Sequence, residues 1–190
     1  MTRDEALSLL HEHTKGESLR KHALAVEAAM RAMAREHGGD EDTWGVVGLL
    51  HDFDYEAHPT LDEHPYVGAQ ILRDKGCDPE IVEAILGHSN HTGVARETTM
   101  AKSLFAVDEL TGLITAVALV RPSKSVHDVK ARSVVKKMKD KAFARSVSRE
   151  DIRSGVEEMG LELREHITFV IEAMRTVAPE LGLQGVDEDV

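Results

Sequence analysis

The sequence predicts an all-α protein. Three observations carry that reading. Apolar residues recur at three- and four-residue spacing through nearly every segment. Ser, Thr, Asp, Gly and Pro stand where such runs begin and end. No alternating strand pattern of useful length occurs. At 190 residues the chain suits one domain. Its 42% hydrophobic content is enough for a core, and with aromatics at only 4% that core must be aliphatic.

The elements follow in order. Thr2 and Glu5, three apart, form a capping box that opens a short first helix. Leu19, His22, Ala23, Val26, Met30, Met33 and Ala34 share the stripe of a second helix. It stops at "HGGD", where Gly38 and Gly39 supply a C-terminal cap and Asp40 caps the next helix. Trp44, Val47, Leu50 and His51 lie on one face of a helix over about 41–53, in which Gly45 and Gly48 permit close packing. "HPTLDEHP" is a loop. Tyr66 to Lys75 is a helix closed by Gly76, and Pro79 starts another that carries Ile81, Ala84, Ile85 and His88 on one face. Thr98 to Val120 is apolar almost all round, as a central buried helix should be, and Arg121-Pro122 ends it. Weaker helices cover about 126–141, Ser148 and Asp151 signal a further start, and Leu163, Ile167, Val170, Ile171 and Met174 stripe the last helix. The expected organisation is a single domain over 1–178, with a frayed tail over 179–190.

The totals exclude several classes. No apolar run reaches the roughly 18 residues that span a bilayer. The N-terminal stretch lacks a signal-peptide core. The one cysteine, Cys77, allows neither an internal disulfide nor a cysteine zinc cage, so the expected setting is cytoplasmic. A net charge of −11 repels nucleic acid and anionic membranes, and neither is expected as a partner. The segment Arg121–Arg145 runs against this balance, with nine Lys or Arg facing only Asp128 and Asp140. It suits a small anionic ligand better than a duplex, or is simply a solvated helix face.

The chemistry sits in "LLHDFDYEAH", where an apolar stripe delivers His51 and Asp52 side by side. Among eleven histidines an isolated one means little. His22, His51, His64 and His88, however, lie at element faces or ends beside small or apolar residues. Asp108 is more telling, because its face neighbours are Ala101, Leu104, Phe105 and Gly112. A lone carboxylate there costs several kcal/mol or is forced neutral, and a nearby cation removes that cost. Nitrogen and carboxylate ligands without sulfur suit iron, manganese or zinc. Asp54 and Glu56 are either proton shuttles to a leaving group or ordinary loop acids, and the second reading is preferred.

The order His22 … His51-Asp52 … Asp108 resembles the HD-domain superfamily of metal-dependent phosphohydrolases over about residues 18–120. "HPYVGAQILRDKGCDPEIVEAILGH" is similar to the segment of its binuclear members that supplies two further histidines, here His64 and His88. His91 is the other candidate for the latter position. The resemblance extends to HD enzymes that split dinucleoside polyphosphates and to predicted HD hydrolases with "ADELTGLI"-like and "ALVRP"-like stretches. Phe53-Asp54-Tyr55 departs from the Gly-Tyr-Pro motif of cyclic-dinucleotide phosphodiesterases.

The resemblance implies an HD helical bundle with core 18–120 and extra helices over 121–178. It implies two divalent ions, iron or manganese first and magnesium, zinc or nickel as alternatives. His22, His51 and Asp108 would hold one ion, His64 and His88 the other, and Asp52 would bridge. The expected reaction is hydrolysis of a phosphoester or phosphoanhydride of a small nucleotide or phosphorylated metabolite. A bridging hydroxide would attack, with Asp52 and His51 as catalytic residues. Arg121 and Lys124, which follow the helix of Asp108, are the expected substrate-binding cations. Two alternatives share the pattern: a mixed-valence di-iron oxygenase, and a non-catalytic module with a structural metal.

Overall fold

Thr2 opens α1 (Arg3–His13) with the reciprocal capping box, its side chain accepting from Glu5 N while Glu5 reaches back to Thr2 N. α2 (Glu17–His37) ends at Gly38, whose φ of 71° is the left-handed conformation glycine adopts without strain. Asp40 then accepts from Thr43 N and starts α3 (Glu41–Leu50). The sequence carries this helix to residue 53. The structure ends it at Leu50 and turns the chain through 51–57.

α4 (Tyr66–Asp74), α5 (Pro79–Gly87) and the central α6 (Thr99–Leu119) follow. Thr98 caps α6 and Asp78 caps α5. Beyond α6 come α7 (Ala131–Met138), α8 (Arg149–Glu158), α9 (Leu163–Arg175) and α10 (Ala178–Leu181). Ser148 caps α8 by accepting from Asp151 N. The computed structural model describes residues 1–185, and among these the fold is all-helical, with no strand. No helix among the described residues is long and apolar enough to cross a membrane.

Two glycines let helices approach more closely than side chains allow. A Cβ on Gly48 would sit 2.8 Å from the backbone of Glu27, and one on Gly155 would sit 2.7 Å from Ala106 Cα. The first seats α3 on α2 and the second seats α8 on α6. Glu27, buried beside that α2–α3 contact, is answered by Arg3 at 2.5 Å and Arg31 at 3.0 Å.

The tail differs from its expected frayed state. Ala178–Leu181 is helical, Leu181 and Leu183 are buried, and Leu183 O accepts from Val126 N at 2.9 Å. Two leucines found apolar cover against the α6–α7 connection, and Gly182, at φ 67°, turns the chain onto it. The remainder of that predicted tail, 186–190, lies outside the described residues.

Candidate metal centre

α3 is buried along most of its length, and it ends by presenting His51 and Asp52 to the interior. His51 is fully buried, and its Nδ1 lies 2.8 Å from Gly48 O. A carbonyl can only accept, so Nδ1 carries the hydrogen and Nε2 is the free position. His88, just past α5, repeats the arrangement through Ile85 O. His64 Nδ1 donates to Asp54 Oδ1 at 2.8 Å. Three imidazoles are thus anchored at Nδ1 and aim Nε2 inward, the usual construction behind a ligating histidine.

His22 on α2 and Asp108 on α6 complete the cluster. His22 Nε2 lies 3.0 Å from Asp108 Oδ1 and 3.2 Å from His51 Nε2. Asp52 turns one oxygen each way. Its Oδ2 is 3.5 Å from His51 Nε2, and its Oδ1 is 3.2 Å from both His64 Nε2 and His88 Nε2. The donor atoms of His22, His51 and Asp108 lie within 4.8 Å of one another, as do those of Asp52, His64 and His88. Each group of three could hold a metal ion. His91 turns away from both, its Nε2 on the backbone carbonyl of His64 at 3.0 Å.

The electrostatics follow from burial set against proximity. Burial disfavours the charged form of His51, but Asp52 and Asp108 outweigh it and push its pKa up to about 9. His64 is pushed up to about 9 as well, with Asp52 and Asp54 overcoming its burial. Burial alone would raise both carboxylates. Instead His51, with hydrogen bonds from His64 and His88, holds Asp52 well below the usual range, and His51 and His22 do the same for Asp108. The inward nitrogens of His51 and His64 are thus set to carry a proton or a cation, and a divalent ion could serve as the counter-charge for the paired carboxylates in place of those protons.

Some functional surroundings escaped the sequence reading. Asp54 is no loop acid: it is buried, it anchors His64, and its Oδ2 accepts from Gly68 N at 2.7 Å. Only a glycine allows that approach, since a Cβ at 68 would lie 2.8 Å from Asp54 Cγ. Glu56 accepts from Lys15 N and Gly16 N, tying the loop to the start of α2. Glu109 stands on the cavity wall. Burial, reinforced by Asp108, raises its carboxyl to about 7, against a hydrogen bond from Ser148 N. The position of Glu109 beside Asp108 on an apolar helix was the signal available for it.

Arg121 and Lys124 are not brought to this place. Eleven residues of helix at 1.5 Å each put Leu119, the end of α6, about 16 Å from Asp108, and Arg121 follows that end. Arg121 Nη2 instead donates to Ser133 Oγ at 3.0 Å, and Lys124 is exposed. The cavity over the cluster, about 420 Å3, is walled by Tyr55, Phe105, Glu109, Ser146 and Asp151 among others, with no Lys or Arg among the described residues that line it.

Fold and site together define a helical protein built around two histidine–aspartate groups that could hold metal. The HD domain family matches residues 19–113, half of the chain, and all six clustered side chains fall within that span. The chain belongs to the HD domain family. A ribonuclease Y from Sulfurovum sp. (strain NBC37-1) is 26% identical over 146 residues, covering 75% of this chain and 28% of that protein. A ribonuclease Y from Geobacter metallireducens (strain ATCC 53774 / DSM 7210 / GS-15) is 30% identical over 105 residues, covering 55% of this chain and 20% of that protein. The chain thus spans well under a third of the length of the curated relatives it matches. No solved structure matches it.

Proposed function

We propose that this chain is a metal-dependent phosphohydrolase that cleaves a phosphoester or phosphoanhydride of a small phosphorylated substrate. The observation that carries the reading is the attitude of Asp52, which offers one oxygen to each group of ligands. His22, His51 and Asp108 would hold one divalent ion and His64 and His88 a second, with Asp52 shared. Four imidazoles and two carboxylates without sulfur fit iron or manganese first, and magnesium, zinc or nickel as alternatives. Bound there, such ions supply an activated water and neutralise charge on phosphoryl oxygens.

The chain's own groups do the rest. Gly48 O, Ile85 O and Asp54 fix three imidazoles in orientation. Tyr55, Ser89 and Asn90 line the cavity and offer neutral hydrogen bonds to a phosphoryl or leaving-group oxygen. With no Lys or Arg among the described residues of the cavity wall, a phosphate would depend on the metal for its counter-charge. Glu109, set near neutrality, can hold a proton at its carboxyl oxygen and give it up at working pH.

The test is phosphate release from a panel of phosphoesters and nucleotides by Mn2+-reconstituted protein. Asp52→Ala should lower turnover by more than the roughly 10- to 100-fold that loss of an outer-shell partner costs. Turnover that survives this substitution overturns the assignment. The relatives named ribonuclease Y favour a second reading, in which the bond cut is an RNA phosphodiester. A short RNA in the same panel separates the two.

A further inference from the structure

The space over the metal cluster does not end there. A second cavity, of about 550 Å3, opens between α2, α6, the 144–147 loop and the C-terminal turn, and His22, Gly112, Ser146 and Val147 wall both. Their chemistry differs. The first is built of imidazoles and acids. The second has an apolar side of Leu19, Ala116, Leu119, Leu181 and Leu183, with Ser18 and Thr115 beside it, and no Phe, Tyr or Trp among the described residues that line it. Lys21, the one Lys or Arg among them, is engaged by Glu17 at 2.6 Å.

The wall common to the two is thin and braced. It has no side chain at Gly112, where a Cβ would meet Val147 Cγ2 at 3.7 Å. Arg149 donates to the carbonyls of Phe143, Ala144 and Val147. That clamp holds Ala144 at φ 43°, a conformation a non-glycine residue keeps only when its surroundings impose it. Leu119 remains 51% exposed at the outer end while Leu181 and Leu183 are buried beneath. A pocket with an apolar side that is already formed and shares a wall with a polar reaction centre is suited to the part of a ligand that does not react.

We propose that the second cavity receives the alcohol portion of the substrate, and that the chain therefore acts on a phosphate monoester of an aliphatic alcohol. The inference rests on the phosphohydrolase reading and narrows it. A nucleoside would find no Phe, Tyr or Trp to stack on among the described residues there, only the edge of the cavity at His22, whereas methylenes would be buried among leucines. In the reaction a water oxygen bonds to phosphorus and the phosphorus–alkoxy bond breaks with its electron pair on the alkyl oxygen. That oxygen takes up a proton, and the alcohol and inorganic phosphate depart.

The experiment uses the full Mn2+-loaded chain and n-alkyl phosphates from methyl to octyl. Two quantities are read: kcat/KM for phosphate release, and the calorimetric affinity of the matching alkylphosphonates, whose P–C bond resists hydrolysis. Both should climb by about fourfold per added methylene until the pocket fills. Ala116→Phe, which occupies the pocket, and Leu119→Asp, at its solvent-exposed mouth, should each flatten that climb. A flat response in the wild type, or a climb unchanged in both variants, overturns the inference. Phosphate release that ignores chain length sinks the alkyl pocket and leaves the hydrolase standing. Phosphonate affinity that climbs with length while no ester is cut keeps the pocket and sinks the hydrolase.

Discussion

His51 and His64 carry the pH dependence of the site. Both are more readily charged in the folded chain than at the ordinary value of 6.5. Their contribution to the stability of metal-free protein is therefore complete below about pH 6.5 and is lost as pH rises towards 9. Asp52 and Asp108, both lowered, contribute above the ordinary carboxylate range and lose that contribution as pH falls through and below it. A metal ion must displace the histidine protons. Mn2+ affinity should thus tighten between pH 7 and 9, by up to about tenfold per unit for each proton released. Titration calorimetry in buffers of different ionisation enthalpy measures that release, and an affinity flat across this range contradicts it. Asp54→Asn should weaken metal binding about 10- to 100-fold through misorientation of His64, while the fold, followed by circular dichroism, persists. At this scale the clustering of these side chains was legible, since His51-Asp52 ends an apolar stripe and Asp108 is a carboxylate on an apolar helix. Asp54 was not legible: the groups that bury it, His64 and Gly68, are ten and fourteen residues away.

Elements bring those side chains together, and two of the tightest joints are glycines. Gly48→Ala forces a methyl into the backbone of α2 and should destabilise by about 1–3 kcal/mol, the usual range for overpacking. Because His22 lies on α2 and His51 directly follows α3, metal affinity should fall along with the denaturation midpoint. A variant of unchanged midpoint would mean that the joint yields without cost. The helix boundaries were largely legible from caps, as at Thr2, Asp40, Thr98 and Ser148. The placing of Arg121 and Lys124 failed for a plain reason. Adjacency to the end of α6 was taken as adjacency to Asp108, yet a straight helix carries its end away from its middle. The tail was misread because Leu181 and Leu183 show no periodicity in so short a stretch, and their burial depends on α2, α6 and the α6–α7 connection.

Over the whole molecule, the acidic balance of the chain and the basic run 121–145 are separate features, because no cation of that run lines the cavity over the cluster. The six clustered side chains come from α2, the α3 terminus, the loop before α4, the end of α5, and α6. An ion bound among them would tie much of the fold together. Free Mn2+ at 100 times its dissociation constant should add about 2.7 kcal/mol. For a domain of this size that raises Tm by roughly 5–10 °C, and a chelator should reverse it. The most direct measurement is the number of Mn2+ ions bound per chain after reconstitution, in the wild type and in Asp52→Ala. Two ions in the wild type and fewer in the variant are predicted. No bound ion in the wild type, or a count that Asp52→Ala leaves unchanged, would contradict a shared carboxylate at a paired metal centre.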